Sequence, residues 1–247
     1  MVKEMNRESL TQTLAEIILG LPCPHPLRVA IDGVDAAGKT TLSEELALTL
    51  KSQPRQVIRV SVDGFHQPKS VRRQLGDLSP EGFYRDSYDY KALIENLLVP
   101  LGPDGNRQYR EIVFDVRQDR PVETPFQTAE PGAILLMDGI FLLRPTLLPF
   151  WDLTLFLHAD FETTFSRGIK RDSVILGSPE EAQRRYRERY IPGQQLYLAD
   201  AHPLDKADIV IDNNDLDAPK FIRPGMDRNQ DCLLETRSCL VRNPSSS

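Results

Sequence analysis

Residues 33–40 read Gly-Val-Asp-Ala-Ala-Gly-Lys-Thr, a complete Gly-x-x-x-x-Gly-Lys-Thr loop between the apolar run Arg28-Val29-Ala30-Ile31 and a helix-like stretch. A loop of this kind works only where a buried strand hands over to a helix, so it restricts the fold more tightly than any other feature of the chain. Gly33 and Gly38 let the backbone turn its N–H groups inward as a nest for phosphate oxygens, and the helix adds its positive dipole end. Lys39 can then reach the β- and γ-phosphates, and the hydroxyl of Thr40 can ligate an accompanying Mg²⁺. With Gly near 7% of average usage, the pattern arises by chance in about one chain of this length in a hundred. Gly33, Val34, Asp35, Ala36, Ala37, Gly38, Lys39, Thr40 and Thr41 are therefore expected to cradle a nucleoside triphosphate.

The remaining pattern repeats the strand–helix alternation. Val/Ile/Leu-rich runs predict strands at 28–32, 56–62, 133–137, 153–158 and 208–212, while spacings of three and four predict helices at 6–20, 39–51, 89–98, 160–172 and 178–190. Alternation of this kind implies an α/β fold, a doubly wound parallel sheet flanked by helices. Ile112, Phe114 and Val116 alternate within 107–117, which suggests a small β-hairpin outside the main sheet. The expected organisation is an N-terminal helix and linker (1–27), a phosphate-loop domain (28–213) and an irregular, polar tail (214–247), with disorder from about 223 onward.

The bulk properties exclude several roles. A net charge of −6 gives no broad attraction to nucleic acid or anionic membrane, and no apolar run approaches the ~18 residues of a membrane span. Cys23, Cys232 and Cys239 are too scattered for a disulfide scaffold or zinc site and read as free thiols. Glu4, Glu8 and Glu16 occupy an N-terminus without a hydrophobic signal core, so the expected compartment is the cytoplasm. Association into a homo-oligomer is left open.

In open parallel sheets, ligands collect at the carboxyl ends of the strands. Two further strands end there in acids: Val57–Val62 in Asp63-Gly64, and Ala133–Met137 in Asp138-Gly139. Asp138 fits a carboxylate that helps hold Mg²⁺, and Asp63 fits an acid that takes the proton of an acceptor hydroxyl. Gly139 stands where many hydrolytic ATPases carry a second acid, which favours transfer to a bound acceptor over hydrolysis. There is no Asn-Lys-x-Asp guanine-reading motif. Arg167 and Arg171, four apart and opposite the stripe Phe161, Phe165 and Ile169, suit a lid over the phosphates. The run Arg184–Arg189 reads either as more of that lid or as a solvated face paired with Glu180, Glu181 and Glu188.

Four blocks together carry a family resemblance: Ile31-Asp32-Gly33 into the loop, Val62-Asp63-Gly64-Phe65-His66, Leu136-Met137-Asp138-Gly139-Ile140 and Arg167-Gly168-Ile169-Lys170-Arg171-Asp172. In order and spacing, over roughly 28–213, the chain resembles the uridine kinase/phosphoribulokinase family of P-loop kinases. The resemblance implies ATP and Mg²⁺ and phosphorylation of a small-molecule hydroxyl. It gives Lys39 and Thr40 the phosphate and magnesium roles, Asp63 the acceptor-activating role, Asp138 the metal-associated role, and Arg171 and Arg167 the lid. It also places Asp86 near the ribose-binding acid, and His66 and Phe114 at the acceptor. Three positions depart from the pattern of uridine/cytidine kinases: Phe114 and His66 replace tyrosines and Asp119 replaces a histidine. Uridine is accordingly the first acceptor expected, with pantothenate or a sugar phosphate as the alternative. A regulator that binds ATP without turnover is the reading from another class.

Overall fold

The computed structural model describes residues 6–22 and 24–223. In chain order its strands are β1 (Leu27–Gly33), β2 (Val57–Ser61), the two-residue β3 (Gln108–Tyr109), β4 (Phe114–Asp115), β5 (Arg120–Pro121) and β6 (Gln127–Thr128), then β7 (Ile134–Asp138), β8 (Leu153–His158), β9 (Ile209–Asp212) and β10 (Lys220–Arg223). The main sheet runs β10-β9-β8-β1-β7-β2, parallel except for β10. β1 and β7 are buried along their whole length, as their unbroken apolar runs require of strands covered on both faces.

Side chains leave a strand alternately, so one sheet serves two cores. Val29, Ile31, Leu136 and Leu155 meet helix α1 (Arg7–Leu19) and helix α2 (Lys39–Leu50). Ala30, Leu135 and Met137 face Tyr84, Leu97, Phe141 and Tyr197 on the other side. Helix α1 begins at Asn6, whose side chain accepts from Ser9 N at 2.8 Å. Its Leu10, Leu14 and Ile18 are fully buried against the domain, as their helical spacing anticipates. None of the helices among the described residues is long and apolar enough to cross a membrane.

Three sequence expectations need correction. The small hairpin expected outside the main sheet is present, but its bounds differ: 107–117 supplies only one of its arms. The chain folds back only after residue 116, so that β4 pairs with β5 inside the outer pair β3 and β6. The turn is made by Asp115, whose Oδ1 accepts from Arg117 N and Gln118 N, and by Asp119 at φ +51°. Second, the helix expected over 178–190 runs Pro179–Arg185, passes through a π-helical turn at Tyr186–Tyr190 and continues as Ile191–Ala201. Pro192 follows closely on the π-helical turn, and the helix runs on through it to Ala201. Third, the segment expected to be irregular from 214 contributes β10, an edge strand carrying Lys220 and Arg223. The expectations for the tail beyond 223 and for the three cysteines lie outside the described residues.

Candidate active site

β1 delivers the phosphate loop from the middle of the sheet. Ala36 takes φ +57° and Gly38 φ +95°, the left-handed turns that aim the loop's backbone inward. A Cβ at Gly38 would stand 2.7 Å from Asn213 Nδ2, and that same amide donates to Ala37 O at 2.6 Å. The loop is thus strapped from outside by a residue just past β9. From below it is held by Asp32, which accepts from Gly33 N, Leu143 N and the Tyr197 hydroxyl. Burial pushes the Asp32 carboxyl up to about 6. Lys39 is buried, and its Nζ donates to Val34 O at 2.8 Å. Burial lowers its pKa, and the charges of Asp35, Asp32 and Asp138 oppose that shift.

Strand pairing brings the acids to the loop. In register, Asp138 of β7 stands between Ile31 of β1 and Ser61 of β2, so all three strands end at one level. Thr40 Oγ1 donates to Asp138 Oδ2 at 2.8 Å. Burial raises the Asp138 pKa against the pull of Thr40 and Lys39. Asp63 follows β2 in a 3₁₀ turn over Val62–Phe65, with its N–H on Ser61 Oγ at 3.3 Å. Its packed surroundings push its pKa up. The hydrogen bond and charge of His66, the Tyr88 hydroxyl and the charge of Lys39 outweigh that and leave it below the usual carboxylate value. The Asp63 side chain is nevertheless 66% exposed.

The other predicted acceptor residues are distributed unevenly. His66 Nδ1 donates to Ser87 O at 2.9 Å, since a carbonyl can only accept. Its Nε2 lies 3.4 Å from Asp63 Oδ1, and its ring stacks on Tyr88 at 4.5 Å. Phe114 is buried, and its strand backs onto the Asp63 turn through Val113 N to Gly64 O at 2.9 Å. A Cβ at Gly64 would meet Glu111 O at 2.6 Å, which is why the excursion can lie so close. Asp86 ends the helix Pro80–Asp86 and has no side-chain hydrogen bond or ion pair among the described residues. Asp119 is taken up by Lys69 N at 2.8 Å and Arg72 at 3.0 Å.

Of the arginines, Arg171 reaches the phosphate loop. It pairs with Asp35 at 3.0 Å and with Asp172 at 2.7 Å, and the Tyr186 hydroxyl donates to Asp35 Oδ2 at 2.8 Å. Burial pushes Asp35 up, but Arg171 and Lys39 draw it below its ordinary value. Arg167 instead donates to Asn213 O and Asn214 O at 3.0 and 2.7 Å, bracing the strap over the loop. Arg184 and Arg185 pair with Glu181, and the buried Arg189 donates to the carbonyls of Asp77 and Ser79 at 3.1 and 3.2 Å. Arg184 and Arg185 thus have acid partners and Arg189 is taken up by backbone, while the exposed Arg187 lies over the Phe165 ring at 5.3 Å.

The helix Phe161–Leu176 fully buries Thr164 and Gly168, and the apolar stripe Phe161, Phe165 and Ile169 is half-buried, with Phe161 on the core and Phe165 against Tyr186. A Cβ at Gly168 would stand 2.2 Å from the Tyr186 ring. Gly168→Ala is expected to cost about 1–3 kcal/mol as the two lid helices part, read as a lower melting temperature. An unchanged melting temperature would show slack between them. Asn213, Gln194 (whose Oε1 accepts from Asp35 N) and Tyr197 were not anticipated from sequence. No local signal marks them, because each comes from a distant segment.

No family model matches the chain. It is 23% identical to uridine-cytidine kinase B of Dictyostelium discoideum over 167 residues, 68% of this chain and 67% of that protein. It is 27% identical to a pantothenate kinase of Escherichia coli over 131 residues, 48% of this chain but only 37% of that protein. A solved structure of a possible uridine kinase from Bacillus stearothermophilus matches with a TM-score of 0.64 at 21% identity, covering 81% of this chain and 96% of the other. At that identity the structural likeness shows the shared fold.

Proposed function

We infer that the chain, a uridine kinase-like P-loop kinase, moves the γ-phosphate of ATP to a hydroxyl of a small molecule, with a nucleoside such as uridine as the leading acceptor. The observation that carries this is the meeting of Lys39, the Thr40–Asp138 pair and Asp63 on one rim of the sheet. Asp63 takes the proton of the acceptor hydroxyl as its oxygen bonds to the γ-phosphorus and the bond to the β-phosphate oxygen breaks, leaving ADP. Lys39 and the loop's N–H groups hold the phosphates, and Arg171 stands beside them to meet charge on the transferring group. Gly139 supports transfer over hydrolysis: a Cβ there would meet Val62 Cγ1 at 2.5 Å, so no second acid fits without moving the Asp63 turn.

Mg²⁺ fits the residues present. Thr40 and Asp138 offer hard oxygen donors beside the loop, while no group of three or more His, Cys, Asp or Glu among the described residues could hold a metal. That pattern suits an ion bound mainly through phosphate oxygens and one or two protein groups. When bound, it neutralises charge on the β- and γ-oxygens. Asp138→Asn is expected to raise the Mg²⁺ concentration for half-maximal rate by about 10–100-fold. A Mg²⁺ titration with an unmoved midpoint would take Asp138 out of the metal site.

His66, Phe114 and Asp119 differ from the uridine/cytidine kinase pattern, and this favours a second reading in which the acceptor is pantothenate or a sugar phosphate. A coupled ADP-release screen over nucleosides, pantothenate, glycerate and sugar phosphates separates the two. ADP release that no alcohol accelerates would favour a non-catalytic ATP-binding regulator.

A further inference from the structure

A cavity of about 400 Å³ opens between the helix Pro80–Asp86, the helical turn that starts at Tyr90 and the segment after β7. It shares no lining residue with the phosphate loop or the Asp63 turn. Its volume falls in the range of small-molecule sites.

Arg144 stands in its wall without an acid. The guanidinium lies over the Tyr90 ring at 4.0 Å and the Tyr84 ring at 4.9 Å. Stacking of this kind fixes its plane and leaves the edge donors available to a carboxylate or phosphate. Nη1 of Arg144 is buried without a hydrogen-bond partner, and so is the hydroxyl of Tyr90. Arg144 can donate to the Tyr90 oxygen beside it, which leaves the Tyr90 O–H and the rest of the guanidinium edge without an acceptor, and donors so placed are ordinarily satisfied by one. Arg85, Lys91 and the acid Glu95, which lies 3.9 Å from Lys91, also line it, so with Arg144 the lining carries three positive charges to one negative. Asp200, outside the lining, accepts from the Tyr84 hydroxyl at 2.6 Å. Burial pushes the Tyr90 phenol far above its ordinary value, which keeps it a donor at neutral pH.

We propose that this cavity binds the phosphate or carboxylate group of a small anionic molecule, held by the edge of the Arg144 guanidinium and the Tyr90 hydroxyl. Two sources share that chemistry. One is the acceptor itself: Tyr90 packs 6.1 Å from the ring of Tyr88, whose hydroxyl donates to Asp63 at 3.4 Å. The other is a separate effector. Only the first rests on the kinase reading.

The test titrates inorganic phosphate into the full chain carrying Lys39→Ala, which weakens the phosphate loop as a rival site, and follows the heat. The expected result is a binding isotherm that Arg144→Gln weakens about tenfold or more and Tyr90→Phe weakens while keeping the stack. Arg144→Lys, which keeps charge but not the planar fork, should fall between. Equal affinity with and without the Arg144 guanidinium, in variants whose melting curves show them folded, overturns the proposal, as does a chain that takes up no phosphate. Two arms on the Lys39 protein then assign the source. A tenfold shift by Arg144→Gln in the KM of anionic relative to neutral acceptors identifies the acceptor's own anion. A phosphate-dependent change in rate with a neutral acceptor, erased by Arg144→Gln, identifies an effector. If no acceptor supports ADP release, the kinase reading fails while the isotherm still stands.

Discussion

Asp63→Asn is expected to lower phosphoryl transfer by about 10²–10⁴-fold and to leave ATP affinity nearly unchanged. Asparagine keeps the size of the side chain and can still accept from the Tyr88 hydroxyl at 3.4 Å, but it cannot take a proton. Among the described residues, Asp63 has hydrogen-bond and ion-pair partners in Ser61, Tyr88 and His66 and none in the loop. It is linked to the loop through the charge of Lys39, which helps hold its pKa down. A carboxylate with a lowered pKa stays ionised as the pH falls, so the acid limb of kcat should lie below the ordinary aspartate range. Turnover by coupled ADP release and nucleotide affinity by calorimetry check both halves. Weaker ATP binding with transfer intact would remove Asp63 from the mechanism.

Lys39→Ala should cost at least about 10²–10³ in turnover, the effect of removing one preorganised charge from a transferring group. The fold is expected to survive. The loop is held by Asn213 on Ala37 O and by Asp32 on Gly33 N, neither of which involves the lysine. Circular dichroism and ADP release on one preparation distinguish loss of chemistry from loss of structure. Retained turnover would mean that the loop does not serve the transferred phosphate.

What the sequence reveals follows how local the cause is. The loop at 33–40, the five parallel strands and the acids at 63 and 138 are legible because strand periodicity and glycine placement act within a few residues. Contacts made across the fold are not. Arg167 and Arg171 look equivalent in sequence, four apart on one helix, yet one braces Asn213 and the other meets Asp35. For Arg184 and Arg185 the sequence leaves a lid and a face paired with Glu181 side by side, and the ion pairs decide for the second. The alternation at 112, 114 and 116 marks one arm of the excursion, but its partner strands hold Pro121 and Gln127, which carry no strand signal. Pro192 resembles a stop because the helix's passage through it depends on the π-helical turn before it.

The sheet order separates two tasks. β1 is flanked by β7 and β8 and buried throughout, so the triphosphate end of the machine is set by pairing on both sides, and a one-residue slip would turn Asp138 away from it. β2 is the outermost strand on its side, and the excursion from Gln108 to Thr128 lies beside the turn that follows it, with Val113 N bonded to Gly64 O. Changes of chemical taste can therefore accumulate in the outer appendage while the inner scaffold keeps its shape. A lineage could exchange one alcohol for another without rebuilding the part that grips the donor.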